Sequence, residues 1–85
     1  MDTDKITVLC AKSDRIFHNG KEAERLLDKI DDVRTIVIKS PYSDFVVRVE
    51  DYPELKSLAE KLVKYVMKSE EAKQAEIKTE IAKCL

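Results

Sequence analysis

From Pro53 to Leu85 the chain repeats apolar residues at helical spacing, and this stretch constrains the fold most. Leu55, Leu58, Leu62, Val66 and Ser69 trace one stripe, which weakens through Glu70 to Glu76 and resumes on a slightly rotated face at Ile77, Ile81 and Cys84. A single helix over residues 53 to 85 would be roughly 48 Å long at 1.5 Å per residue. That overshoots the single domain for which 85 residues leave room. Three solutions are open: a second helix restarts at Ser69 and folds back, the tail projects and pairs with another chain, or it frays. Such a segment cannot hold a helix by propensity alone. Docking on the chain's own sheet is the expected outcome. A strong coiled coil is not, because two full heptads of clean pattern are missing.

The middle of the chain reads as a β-hairpin. Val33 to Lys39 is rich in β-branched residues, Ser40-Pro41-Tyr42-Ser43-Asp44 is turn chemistry, and Phe45 to Val49 alternates again, with Phe45, Val47 and Val49 on one face. A further strand is expected at Ile6 to Ala11, where Ile6, Val8 and Cys10 share a face by the period-two rule. Asn19 with Glu22 three residues on reads as a capping box that opens a helix through Ala23, Leu26, Leu27 and Ile30. Asp51 with Glu54, and Pro53 in the first turn, reads as the box opening the last helix. The predicted class is therefore α+β: a two-layer sandwich in the order β-α-β-β-α(α), with helices packed on one face of a three-stranded sheet. Residues 1–85 are expected to form one domain, with 70–85 as a separate or frayed C-terminal helix.

Charge excludes some functions. The chain carries 16 basic and 17 acidic residues, for a net charge of −1, without the basic excess or stripe of a nucleic-acid binder. No apolar run approaches the ~18 residues of a membrane span. The start, Met1-Asp2-Thr3-Asp4-Lys5, has no signal-peptide character. A soluble, cytoplasmic monomer is expected, with Cys10 and Cys84 as free thiols since their spacing matches no metal or redox motif.

Catalytic equipment is sparse, which points to binding rather than to an enzyme. Cys10 with His18 is the sole conceivable nucleophile–base pair, and the strand pattern puts Cys10 in the core instead. Gly20 stands alone, so there is no glycine-rich phosphate loop. The carboxylates offer more. Pairing across the hairpin brings Val33 opposite Glu50 or Asp51, so Asp31 and Asp32 enter the sheet where Glu50 and Asp51 leave it. Four carboxylates from two loops fit a hard divalent cation, and Ca²⁺ accepts such loose oxygen geometry. The absence of a nearby thiol or imidazole argues against zinc or copper. The spaced Asp loop of an EF-hand is absent, so any such site is weak. Against this stands a plain solvated edge, neutralised by Arg34, Arg48 and Lys56. The expected function is weak Ca²⁺ binding through Asp31, Asp32, Glu50 and Asp51. The alternative is a protein-interaction or self-assembly module that uses the C-terminal helix.

Two resemblances add little. Ile6-Thr7-Val8-Leu9 ahead of Ala23-Glu24-Arg25-Leu26-Leu27 resembles the start of glutaredoxins over about a quarter of the chain. The redox cysteines are missing, however, and Arg15 to His18 stand in their place. In length, Lys/Glu-rich make-up and layout the chain also resembles small uncharacterised proteins of methanogenic archaea, in keeping with a thermophile-like composition. That likeness rests on no diagnostic motif and transfers no functional residue.

Overall fold

Asp2 starts a helix where the alternation of Ile6, Val8 and Cys10 predicts a strand. In the computed structural model, which describes residues 2–85, the Asp2 carboxylate accepts the Lys5 backbone N–H at 3.0 Å and caps helix α1, Thr3–Asp28. A 3₁₀ turn, Ile30–Asp32, follows. Strands β1 (Thr35–Lys39) and β2 (Asp44–Arg48) come next, and helix α2 runs from Leu55 to Cys84. The order is α-β-β-α. The sheet has two antiparallel strands, so the three-stranded sandwich is overturned: its expected first strand, Ile6 to Ala11, lies within the first three turns of α1.

The expected capping boxes also fall. Asn19 lies in the middle of α1, and Glu22 pairs with Arg25 at 2.7 Å instead of returning to a cap. At α2 the cap position is Glu54, without a side-chain capping bond. The Asp51 N–H is taken by the Arg48 carbonyl at 3.1 Å and the Leu55 N–H by the Tyr52 carbonyl at 2.9 Å, so a run of turns carries the chain past Pro53 into the helix.

The β-hairpin forms as its pattern predicts. Ile36 stands opposite Val47 and Ile38 opposite Phe45 on one face, with Val37 opposite Val46 on the other. Ser40 fixes the turn. Its hydroxyl donates to the Ser43 carbonyl at 2.7 Å and accepts the Ser43 N–H at 3.1 Å, while Pro41 presets the next backbone angle. The Val49 N–H donates to the Arg34 carbonyl at 2.9 Å, carrying the pairing one residue beyond the strands.

The helices, not the sheet, provide the long-range packing, and they run antiparallel. On α1 the residues at least half-buried are Ile6, Leu9, Ser13, Ile16, Gly20, Ala23 and Leu27. They alternate three and four residues apart, the spacing that holds one stripe against a partner helix. On α2 the matching stripe is Val63, Val66, Glu70, Gln74, Ile77, Ile81 and Cys84. Two successive steps of four, Val66 to Glu70 to Gln74, interrupt its alternation. Such a stutter locally unwinds a supercoil and accounts for the rotated face seen in the sequence. The helix continues straight through Ser69, and its tail docks on α1 rather than on the sheet. The Asp2 N–H closes the far end on the Cys84 carbonyl at 3.3 Å.

The molecule measures 52 × 31 × 15 Å. Fifteen ångström is little more than one helix with its side chains, so the two helices form a single layer. The radius of gyration, 16.4 Å, exceeds the ~12 Å of a compact domain of this length. The accessible surface is 6862 Å², about 1,700 Å² above the ~5,200 Å² expected of a compact monomer of this mass. Among the described residues only Gly20, Ala23, Val63, Ile77 and Cys84 are buried. No helix among them is long and apolar enough to cross a membrane.

Candidate functional site

The two acidic pairs flank the hairpin where its register predicts them, but Asp31 and Glu50 are each engaged by a cation. Asp31 and Asp32 sit on the 3₁₀ turn, and Glu50 and Asp51 on the turn after β2. Lys56, in the first turns of α2, reaches back to Asp31 in an ion pair and hydrogen bond that holds the Asp31 carboxyl below its ordinary range. Arg48 pairs with Glu50 at 2.9 Å. All four residues are exposed. Among the described residues, no three Asp, Glu, His or Cys side chains converge as a group able to hold a metal ion.

Cys10 and His18 do not form a pair. They are eight residues apart on one straight helix, a rise of about 12 Å. Cys10 is exposed, contrary to its predicted place in the core, and the buried thiol is Cys84. The His18 ring packs edge-on to Phe17, with centroids 5.7 Å apart.

The seam between the helices has apolar ends and a polar middle. The Ser13 hydroxyl donates to Gln74 Oε1 at 2.6 Å, and Gln74 Nε2 donates to the Ser13 carbonyl at 2.9 Å. One α1 turn pair further on, the Glu70 side chain lies over Gly20, in the space a Cβ would need. These two layers place part-buried hydrogen bonds and a half-buried carboxylate where a bundle ordinarily stacks Leu and Ile, so the pairing of α1 with α2 is specified more than it is stabilised.

On one side of this seam the layer is open. A groove of about 680 Å³ runs between the helices over Ala23, Leu26, Leu62, Val63 and Val66, with Glu22, Arg25, Asp28 and Lys29 along its rim. Past Asn19 and Val66 it continues into a smaller stretch of about 220 Å³ lined by Ile16, Tyr65, Ser69, Lys12, Glu70 and Lys73. Leu58, Leu62 and Tyr65 are 56, 62 and 66 % exposed. With Leu55 they form a second α2 stripe at alternating spacings of three and four, turned about a quarter of the way round from the first. The sequence reading joins Leu55, Leu58, Leu62, Val66 and Ser69 in one stripe; the structure splits it, with Leu58 and Leu62 on this exposed face and Val66 on the face that packs on α1. What sequence reasoning missed is that α2 carries two faces, and the one on α1, through Val63 and Val66, is visible at heptad spacing from Ala59.

The chain matches no known family model, no curated protein and no solved structure.

Proposed function

We propose that this chain is a protein-interaction module whose working surface is the open face of the α1–α2 hairpin. The observation that carries the reading is the unburied apolar groove on a layer one helix thick. Stable domains bury apolar faces between two layers, and here one layer is missing. Two long helices joined along a seam with a polar middle gain little beyond their own marginal propensity, so covering the groove with another protein surface completes the structure. The setting that fits is the cytoplasm, where Cys10 and Cys84 stay reduced.

The test is hydrogen exchange together with apolar-dye binding by the dilute, monomeric protein. The reading expects fast exchange along Ala23–Leu27 and Leu62–Val66 and a dye-binding face. Slow exchange with no dye binding would show a layer that needs no cover, and would refute it. Cation binding by Asp31, Asp32, Glu50 and Asp51 has less support, because Lys56 and Arg48 already occupy two of the four carboxylates. A CaCl₂ titration followed by amide chemical shifts decides between them: submillimolar shifts confined to those four residues would favour the cation.

A further inference from the structure

The geometry points to a second copy of this chain as the occupant of the groove, docked face to face about a two-fold axis parallel to the helices. This inference rests on the interaction-module reading and adds the partner's identity and orientation. Three observations carry it. The first is area. The chain exposes about 1,700 Å² more than a compact monomer of its mass, so two copies that buried this excess would remove about 3,400 Å² together. That lies inside the range of roughly 2,000–5,000 Å² for obligate homodimers. The second is thickness: a layer of 15 Å becomes a two-layer, four-helix bundle when paired with one identical layer.

The third is the placement of charge along the groove, which selects the axis. The end nearest the β-hairpin has an apolar floor, with Leu26 on α1 and Leu62 on α2 at one level, and carries its charges on the rim. The far end is lined by Lys12, Lys73 and Glu70. A two-fold axis across the helices would lay the leucine end of one copy on the lysine end of the other and desolvate both ammonium groups. An axis along the helices sets each α1 on the other copy's α2 at the same level. Leu26 then meets Leu62 twice, symmetrically, as an isologous interface requires. The lysine ends then meet each other, where Glu70 of each copy lines the same stretch and offsets the ammonium charge. Both β-hairpins then lie at the same end of the bundle.

Sedimentation of the full chain at micromolar concentration is the first measurement, and twice the 9.8 kDa chain mass is the expected result. Leu62→Ala should weaken the dimer at least about tenfold, the usual consequence of removing a packed leucine. Its helix content should hold, because Ala is the best helix former. Orientation is read by spin labels on Tyr42→Cys, at a hairpin tip that is 95 % exposed, in a Cys10→Ser, Cys84→Ala background that still sediments as a dimer. The two labels should lie well inside the 52 Å length of the molecule. A label separation beyond that length overturns the parallel axis. A dimer indifferent to Leu62→Ala overturns the groove as its interface. A monomer at every concentration that still binds dye overturns the second copy and leaves the module reading standing, whereas a monomer that is dye-silent and slow to exchange overturns both.

Discussion

Gly20 is buried in the middle of α1, and Gly20→Ala separates two explanations for its presence. If the helices approach so closely that only glycine fits, alanine must destabilise. If glycine is merely tolerated, alanine must stabilise, because glycine in a helix interior costs about 0.8–1.0 kcal/mol relative to alanine. The geometry favours the second. The nearest atoms to an added Cβ all belong to the Glu70 side chain, with Cδ at 2.8 Å and Cγ at 3.4 Å. The γ carbon is at ordinary contact distance, so the carboxyl group alone must move. It is the far end of a flexible chain, only half-buried, and it forms no ion pair or side-chain hydrogen bond among the described residues. Swinging it into water costs one rotamer change.

The net expectation for Gly20→Ala is a gain of about 0.5–1 kcal/mol. For a domain of this size that raises Tm by about 2–8 °C. The assay is thermal unfolding followed by circular dichroism at one fixed protein concentration, since association makes Tm concentration-dependent. Adding Glu70→Ala to Gly20→Ala isolates the carboxylate: if the side chain has already swung clear, the second change adds nothing beyond its own small helix-propensity gain. A Tm lowered by 4 °C or more in Gly20→Ala, unrelieved by Glu70→Ala, would mean that the α2 backbone sets the approach, and the reasoning fails.

Three further outcomes are expected. Gln74→Ala should lower stability by about 1 kcal/mol in urea unfolding, because it leaves a part-buried Ser13 hydroxyl without its Gln74 partner, whereas Ser13→Ala with Gln74→Leu should be near neutral; an unchanged midpoint for Gln74→Ala would refute the polar layer. Asp31 should titrate by NMR below its ordinary 3.8, held there chiefly by the Lys56 hydrogen bond, and Lys56→Met should return it to the ordinary range. Since the folded value is the depressed one, this contribution to stability is present above 3.8 and is lost as pH falls through the folded value; an Asp31 titrating at 3.8 or above in the wild type would refute the pair. Ser40→Ala removes the hydroxyl that organises the turn and should cost the hairpin about 1 kcal/mol, seen as faster exchange at the β1 and β2 amides with α1 and α2 unchanged; equal loss of protection in the helices would contradict a hairpin that folds as its own unit.

The hairpin and the C-terminal helix were legible because each carries a local signal that agrees with its environment. Ser40-Pro41 is turn chemistry whatever surrounds it, and the strands beside it are β-branched at directly opposed positions. The acidic edge was legible in place, since register follows from the turn. Its neutralisation was legible as the alternative to a cation site, since Arg48 and Lys56 are among the expected partners; which carboxylate each one takes was not, because Lys56 meets Asp31 only where α2 folds back toward the 3₁₀ turn, a tertiary fact. Cys10 shows the opposite failure. Its predicted burial depended wholly on the strand, and it went with the strand.

That strand failed for a reason connected to the open groove. Ile6, Val8 and Cys10 satisfy period two, yet Val8 is 67 % exposed and Cys10 is exposed, so two of the three face water and the alternation is coincidence. The true period runs Ile6, Leu9, Ser13, Ile16, Gly20, Ala23, Leu27, and it looks broken in sequence because Ser13 and Gly20 interrupt the apolar run. A seam composed wholly of Leu and Ile would have been read as a helix at once. It would also have closed α1 on α2 tightly enough to need no cover. The polar layers that hid the helix from the sequence are therefore the same ones that keep the seam from sealing the molecule. They hold α1 and α2 in register through Ser13–Gln74 and leave the remaining apolar surface, Leu26, Leu58, Leu62 and Tyr65, to be buried by something outside the chain.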